Sequence, residues 1–206
     1  MPIVIADYDV GNLRSVQKAF ERVGASAVVS RSPAGIKDAT ALVLPGVGAF
    51  AECMGNLEKY GLTGPVKDFI ASGRPFLGIC VGYQMLFEQS EEFGSCKGLG
   101  IFRGRCVRFG FKPSPGHKIP HMGWNQVNFR NKGKLFEGIA DGTDFYFVHS
   151  YYPVPEDGIV TGMTEYGETF ASSIESGNVF ATQFHPEKSQ NAGLALLRNF
   201  TKLAGG

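Results

Sequence analysis

Short apolar runs alternate with helical patterns through the first hundred residues of the chain. Four runs rich in aliphatic and β-branched residues predict strands over residues 2–6, 26–29, 41–44 and 75–80. Segment 13–23 has apolar residues at helical spacing, with Asn12 placed to cap the helix and Gly24 to end it. Helical patterns also cover residues 50–60, 66–72 and 83–89. Apolar strands separated by helices indicate a parallel sheet that is covered on both faces.

From Gly98 onward the chain is rich in aromatic and β-branched residues and is punctuated by glycine and proline, which predicts antiparallel strands. The pair Ser176-Gly177 predicts a hairpin turn, and residues 194–203 predict a closing helix. We therefore predict a single α/β domain over residues 1–206. It has a central, mostly parallel sheet with helices on both faces, and additional antiparallel strands in its second half.

Composition narrows the class of protein. Hydrophobic residues make up 43% of the 206 residues and charged residues 19%, as in ordinary globular proteins. The 20 basic and 19 acidic residues give a net charge of +1, so neither nucleic acid nor a membrane is expected as a partner. The N-terminus has no basic leader, and the 4 cysteines show no metal-binding spacing. We therefore expect reduced thiols and a cytoplasmic location.

The motif Gly78-Ile-Cys80-Val-Gly82 lies between a predicted strand and a predicted helix. A glycine two residues before the cysteine and another two residues after it is the spacing of a nucleophile elbow, where a sharp turn needs small neighbours. The helix that follows would point backbone N–H groups at an accessible sulfur and favour the thiolate. Composition alone favours a buried structural cysteine instead.

The segment Gln183-Phe-His-Pro-Glu187 supplies the groups that such a nucleophile needs. Residues i and i+2 of an extended segment point to the same side, so His185 and Glu187 can share one face. The carboxylate can then orient the imidazole, which acts as the base for Cys80. Each residue alone predicts only a loop or a turn. Together with the Cys80 elbow they predict a catalytic triad.

A third motif, Pro45-Gly-Val-Gly48, follows another predicted strand. Because parallel strands end at one edge of a sheet, we expect this turn to lie beside Cys80. Backbone N–H groups of Val47, Gly48 and Val81 could then hold an oxyanion. Taken alone, the motif predicts only a glycine-rich turn.

Together these motifs resemble the class I (triad-type) glutamine amidotransferases. The stretches DYDVGNLRSV, LPGVGAF, PHMGWN, FVHSYY and GNVFATQFHPEKSQ span essentially the whole chain. They are similar, in order, to the glutaminase subunits of imidazole glycerol phosphate synthase, which acts in histidine biosynthesis. PHMGWN is much more diagnostic than the elbow. Val81 and Tyr83 depart from the Leu and Met that are more usual at these places, which allows a different packing around the glutamine pocket.

The resemblance implies hydrolysis of L-glutamine through a thioester on Cys80, with no cofactor and no metal. It also implies that Gln84 and the backbone of His149, Ser150 and Tyr151 lie near the glutamine. For Gln84, a structural role at the start of the helix is an equal alternative.

The resemblance further implies a partner, a (β/α)8-barrel cyclase that forms a heterodimer with this chain and receives ammonia through an internal channel. Asn12, Met122, Trp124 and Lys188 are then expected at or near the interface. Without the resemblance, Met122 and Trp124 would be ordinary core residues of a β-rich segment.

The other histidines and cysteines carry no predicted chemistry. His117 and His121 are expected at the surface. Cys53, Cys96 and Cys106 have no partner acid or base in the sequence and are expected to be structural.

Three alternatives stay open. The first is a glutaminase that feeds a different synthase, such as that of pyridoxal phosphate or aminobenzoate (anthranilate) synthesis, against which PHMGWN argues. The second is a stand-alone cysteine peptidase or esterase, which would use the triad without a partner. The third is a non-catalytic binding module, which would be expected to lack a member of the triad, whereas none is missing here.

Overall fold

A computed structural model describes residues 2–113, 116–156 and 158–205. The first part of the chain alternates strands and helices, as the hydrophobic pattern predicts. Its strands are β1 (Ile3–Ala6), β2 (Ala27–Ser30), β3 (Ala41–Gly46) and β4 (Phe76–Cys80). Its helices are α1 (Leu13–Arg22), α2 (Pro33–Lys37), α3 (Phe50–Lys59), α4 (Thr63–Ala71) and the single turn α5 (Val81–Gln84).

The second part of the chain is dominated by strands. These are β5 (Phe87–Ser90), β6 (Cys96–Lys97), β7 (Phe102–Arg108), β8 (His121–Phe129), β9 (Thr143–His149), β10 (Tyr151–Pro155), β11 (Val160–Tyr166), β12 (Glu168–Ser176) and β13 (Val179–Thr182). Two 3-10 turns, Lys134–Phe136 and Pro186–Lys188, interrupt them, and α6 (Gln190–Leu203) closes the chain.

Nine strands form one mixed sheet in the order β2-β1-β3-β4-β13-β12-β11-β8-β9. Neighbours from β2 to β13 pair in parallel, and neighbours from β13 to β9 pair antiparallel. β3 and β4 are buried at every position, as expected of strands covered on both faces. A second sheet has the order β10-β7-β5-β6. The predicted α/β fold class is confirmed, with an antiparallel part as extensive as the parallel one.

The first two crossover connections run across the sheet in opposite directions, which places helices on both of its faces. α1 connects β1 to β2, and α2 leads back across β1 to β3. Because such crossovers are right-handed, α1 and α2 lie on opposite faces. α1 packs against α6, and α2 packs against α4. Among the described residues, no helix is long and apolar enough to cross a membrane.

The predicted helix over residues 83–89 is wrong in its second half. α5 ends at Gln84, and the chain continues as β5, which pairs with β7. The carbonyl oxygen of Leu86 accepts hydrogen bonds from the N–H groups of Ile101 and Phe102, at 2.8 and 3.1 Å. Hydrogen bonds to the second sheet therefore keep the backbone after Gln84 extended and not helical. Periodicity could not separate the two outcomes, because residues 83–87 are all buried and show no polar face.

Smaller differences concern one short helix and the ends of other elements. The short helix α2 was not predicted, although Ser32 caps it and Pro33 occupies its first turn. The hairpin between β12 and β13 turns at Gly177 and Asn178, one residue later than predicted. α6 begins four residues before the predicted closing helix.

Tyr83, where the sequence departs from the usual elbow pattern, is a core residue. Its ring packs edge-on against Phe87, with centroids 5.6 Å apart. Its hydroxyl donates a hydrogen bond to the carbonyl oxygen of Ala171 at 3.4 Å. The hydroxyl therefore has a polar partner, and the ring faces the core and not the cavity beside Cys80.

Candidate active site

Cys80 lies where β4 meets α5, with a φ of 56°, in the left-handed region that is strained for residues other than glycine. A Cβ atom at Gly82 would lie 1.8 Å from the carbonyl oxygen of Leu44. A Cβ atom at Gly78 would lie 2.9 Å from the carbonyl oxygen of Gly82. The two glycines therefore provide the clearance without which this turn could not form.

The expectation that the sulfur of Cys80 is exposed is wrong. The residue is only 3% exposed, because its sulfur faces a small cavity and not the open surface. The helix that follows has only 4 residues, so its dipole is too short to be the main stabiliser of a thiolate. The stabilising charge must come from side chains.

His185 can supply a positive charge beside Cys80, and Glu187 stabilises that charge. Nδ1 of His185 lies 2.8 Å from Oε1 of Glu187, and both side chains are buried. Nε2 of His185 has no hydrogen-bond partner among the described residues. The backbone N–H of His185 donates to the carbonyl oxygen of Tyr146 at 2.9 Å, and its carbonyl accepts from Oγ of Ser189 at 2.7 Å. The imidazole is thus anchored to β9, with one ring nitrogen free for chemistry.

The electrostatics of this pair favour a protonated imidazole. Burial opposes protonation of His185, but the negative charges of Cys80 and Glu187 outweigh it and raise the pKa of the imidazole from 6.5 to about 10. A thiolate on Cys80 and an imidazolium on His185 therefore stabilise each other.

A cavity of about 150 Å³ opens beside Cys80. It brings together the predicted residues Val47, Gly48, Val81, Gln84, His149, Ser150, Tyr151 and His185. Glu187 lies behind His185, as an orienting acid should. Two further lining residues, Glu92 and Val148, were not predicted.

The glycine-rich turn after β3 borders the cavity in a defined orientation. The carbonyl oxygen of Val47 accepts a hydrogen bond from Sγ of Cys53 at 3.4 Å, and Gly48 has a φ of 87°. Since the C=O and the following N–H of a trans peptide point in opposite directions, the N–H of Gly48 points away from Cys53. Burial raises the pKa of the Cys53 thiol to about 12, which keeps it a neutral donor.

Glu92 reaches the cavity from the loop that follows β5. Its Oε2 accepts a hydrogen bond from the backbone N–H of Phe50 at 2.7 Å. It thereby caps α3, whose own cap residue, Ala49, has no side-chain acceptor. No local motif marks Glu92, because only its contact with α3 brings it to the site.

Gln84 fits both of the roles that the sequence left open. It lines the cavity, and its Nε2 donates a hydrogen bond to the carbonyl oxygen of Tyr151 at 2.9 Å. The same side chain can therefore face a ligand and hold the start of β10.

His121 and His149 form a buried pair on the neighbouring strands β8 and β9. Nδ1 of His121 lies 3.0 Å from Nε2 of His149, whose Nδ1 lies 2.9 Å from the carbonyl oxygen of Tyr151. Burial lowers the pKa of His121 to about 4 and that of His149 to about 3, so both are neutral near pH 7. The expected surface position of His121 is wrong, because alternate residues of β8 point inward.

The predicted interface residues lie outside the cavity. Met122 and Trp124 are 62% and 47% exposed, so they are not core residues. The ring of Trp124 contacts that of Tyr146, and Nζ of Lys188 lies 5.9 Å from the centre of the Tyr146 ring. Asn12 caps α1, which contacts the 3-10 turn that contains Lys188. These residues therefore lie on neighbouring elements at the surface.

Comparison with known proteins identifies the family. Residues 4–203 match the family model described as glutamine amidotransferase class-I, so the chain belongs to the class I glutamine amidotransferases. The imidazole glycerol phosphate synthase subunit HisH of Syntrophotalea carbinolica is 54% identical over 202 residues, covering 96% of this chain and 98% of that protein. The HisH subunit of Moorella thermoacetica is 53% identical over 203 residues, covering 98% of this chain and 95% of that protein. Within the family, the chain groups with these HisH subunits.

Solved structures show the same fold. A crystal structure of a glutamine amidotransferase has a TM-score of 0.72 at 22% identity and covers 98% of this chain and 99% of that chain. PurLQS from Thermotoga maritima has a TM-score of 0.71 at 17% identity and covers 98% of this chain and 96% of that chain. At these identities the likeness supports the fold alone.

The elbow should not tolerate a methyl group at Gly82. Gly82→Ala would force its Cβ into the carbonyl of Leu44, and we expect the free energy of unfolding to fall by about 3 kcal/mol or more. Urea denaturation measures the change. Gly55→Ala is the matched control, because nothing lies within 4 Å of a Cβ at this position in α3, and a gain of about 0.5–1 kcal/mol is expected. Equal stabilities for the two variants would contradict the packing described.

The neutral histidine pair should make the fold sensitive to acid. The pKa values of His121 and His149 lie below 6.5 in the folded chain, so the unfolded chain binds more protons and stability falls as pH drops below 6.5. His121→Phe removes one of these groups. The slope of the unfolding free energy between pH 6 and pH 4 should then decrease by up to about 1.4 kcal/mol per pH unit.

Urea denaturation across this pH range tests the slope. His117→Phe, at an exposed position, is the control and should change the slope much less, because the charge of His117 contributes less than burial to the low pKa of His121. A His121→Phe slope identical to that of the wild type would show that the pair does not carry the effect.

Proposed function

We propose that this chain is the glutaminase subunit of an imidazole glycerol phosphate synthase, which hydrolyses L-glutamine to glutamate and ammonia for histidine biosynthesis. The observation that carries the proposal is the position of Cys80 and His185 at one cavity, with Glu187 bonded to the imidazole behind it. The HisH relatives, similar over almost the whole chain, support the choice of synthase.

The first half of the reaction uses the ion pair. The Cys80 thiolate attacks the side-chain amide carbon of glutamine, forming a C–S bond while the carbonyl electron pair moves onto oxygen. Backbone N–H groups of the turn at Val47 and Gly48, and of Val81, hold this oxyanion. When the C–N bond breaks, Nε2 of His185 gives its proton to the departing ammonia. A thioester and a neutral imidazole remain.

The second half regenerates the enzyme. Neutral His185 takes a proton from a water molecule, whose oxygen attacks the thioester carbon. The C–S bond then breaks, glutamate leaves, and Cys80 returns as a thiolate beside the imidazolium. Glu187 holds the imidazole in one tautomer through both steps.

The lining of the cavity fits glutamine as the substrate. The substrate carries an α-ammonium group, and Glu92 is the carboxylate that lines the cavity in addition to the triad. We assign the ammonium to Glu92. Gln84 and the backbone at His149, Ser150 and Tyr151 would contact the remaining polar atoms of the substrate.

The partner in this proposal is a (β/α)8-barrel cyclase that receives the ammonia through an internal channel in a heterodimer. The exposed Met122 and Trp124, beside Lys188, offer an apolar surface with a cation at its edge, which supports their place at this interface with Asn12 nearby. We place the complex in the cytoplasm, where the four free cysteines stay reduced.

A glutaminase assay of wild type and Cys80→Ala, each with and without the cyclase and its nucleotide ligand, tests the function. We expect weak turnover alone, strong turnover in the complex, and a loss of at least about 10⁴-fold in Cys80→Ala. High turnover without the cyclase would contradict the dependence on the partner. Cleavage of peptides or esters without hydrolysis of glutamine would favour a stand-alone hydrolase. Activation by a different synthase would overturn the choice of pathway.

Glu92→Gln tests recognition of the substrate ammonium. The amide keeps an oxygen that can accept the N–H of Phe50 but loses the negative charge, so KM for glutamine should rise by about 10-fold or more with little change in kcat. Glu91→Gln is the control, since Glu91 is exposed and pairs with Arg105 at 3.3 Å. An unchanged KM in Glu92→Gln would remove Glu92 from the binding site.

A further inference from the structure

Gln183 lies directly beside the nucleophile, although neither the triad nor the substrate cavity includes it. The parallel register of β13 and β4 pairs Thr182, the last residue of β13, with Ile79, so Gln183 follows β13 at the level of Cys80, the last residue of β4. Nε2 of Gln183 is 3.7 Å from Sγ of Cys80, within hydrogen-bond distance for sulfur. Gln183 is fully buried, so its amide approaches the sulfur from within the protein.

The orientation of this amide is determined by Gln84. Nε2 of Gln84 lies 3.2 Å from Oε1 of Gln183 and 2.9 Å from the carbonyl oxygen of Tyr151. Both contacts require Gln84 to donate, so the Gln183 oxygen must accept. Rotating the Gln183 amide by half a turn would bring two N–H donors together. The NH₂ group of Gln183 is therefore the end that faces Cys80.

On the side away from Cys80, a series of neutral hydrogen-bonded groups continues this network. The carbonyl oxygen of Tyr151 also accepts from Nδ1 of His149, so Nε2 of His149 has to accept from Nδ1 of His121. Nε2 of His121 then accepts from Nδ2 of Asn125 at 3.3 Å. Each of these contacts pairs a donor with an acceptor and both imidazole tautomers are determined, so the network holds its members in one arrangement.

We propose that Gln183 is a positioning residue for the reaction, whose side-chain N–H holds the sulfur of Cys80 in place and stabilises its thiolate. A neutral donor suits this task, because it favours the anion without placing a second cation beside His185. The inference rests on the proposed function only in taking Cys80 as the nucleophile.

The contrasting role for Gln183 is structural, a polar side chain that fills the interior and bonds to Gln84. Such a role predicts lower stability on substitution but no change in how the reactivity of Cys80 depends on pH. Donation to the thiolate predicts that losing the N–H shifts this dependence to higher pH. The two roles are therefore separated by a pH profile.

The test is the rate of alkylation of Cys80 by iodoacetamide between pH 5 and pH 10, with the modified Cys80 peptide quantified by mass spectrometry. Gln183→Met removes the donor at similar size, and Gln183→Glu keeps an oxygen for Gln84 but replaces the donor with a carboxylate. We expect the pH of half-maximal rate to rise by about one unit in Gln183→Met, and by more in Gln183→Glu. Gln89→Met, an exposed glutamine of β5, is the control and should leave the profile unchanged.

Glutamine turnover gives a second readout. In the complex with the cyclase, kcat of Gln183→Met should fall by about 10-fold with KM nearly unchanged, since Gln183 acts on the sulfur and not on the substrate. A wild-type pH profile in a folded Gln183 variant would overturn the proposal. If Gln183→Met does not fold, the profile of Gln183→Glu decides.

The alkylation assay needs no glutamine, so it separates this proposal from the proposed function. A shifted profile in a chain that hydrolyses no glutamine would support Gln183 as a positioning residue and reject the glutaminase. An unshifted profile in a chain that hydrolyses glutamine would support the glutaminase and reject Gln183 as a positioning residue.

Discussion

The close approach of the Cys80 turn to the end of β3 is the constraint on which the rest of the site depends. The backbone of Gly82 packs against the carbonyl of Leu44, and a Cβ at Gly46 would lie 2.8 Å from the Cβ of Val81. Glycine on both sides of the contact lets β3 and β4 end at the same level, so the glycine-rich turn and Cys80 border one cavity. The strained φ of Cys80 is the cost, and the buried strands around it hold that conformation in place.

Features that arise from local chemistry could be predicted from the sequence. The buried strands β1, β3 and β4 appear as apolar runs, and α1 appears as a helical pattern with a cap. The elbow is recognisable because its steric requirement falls on residues two positions from Cys80. His185 and Glu187 are recognisable for a similar reason, since their contact joins residues i and i+2.

Features that arise from contacts between distant segments could not be predicted in this way. β5 is a strand because β7 pairs with it, and its own sequence is equally compatible with a helix. Glu92 reaches the cavity because it caps α3, and Gln183 reaches Cys80 because β13 inserts beside β4. His121 is buried because alternate side chains of β8 point inward, where its ring contacts those of Phe109 and Phe170 from other segments of the chain.

The distribution of charge explains why so many neutral groups surround Cys80. Burial is the main reason why the pKa of His149 is low, and repulsion from the cation on His185 adds to it. The proton therefore stays on His185, where the thiolate of Cys80 and the carboxylate of Glu187 hold it. Neutral donors such as Gln183 can bond to the sulfur without competing for that proton. In the proposed reaction, the buried network thus orders the site while leaving the proton of His185 on the ring that would donate it to ammonia.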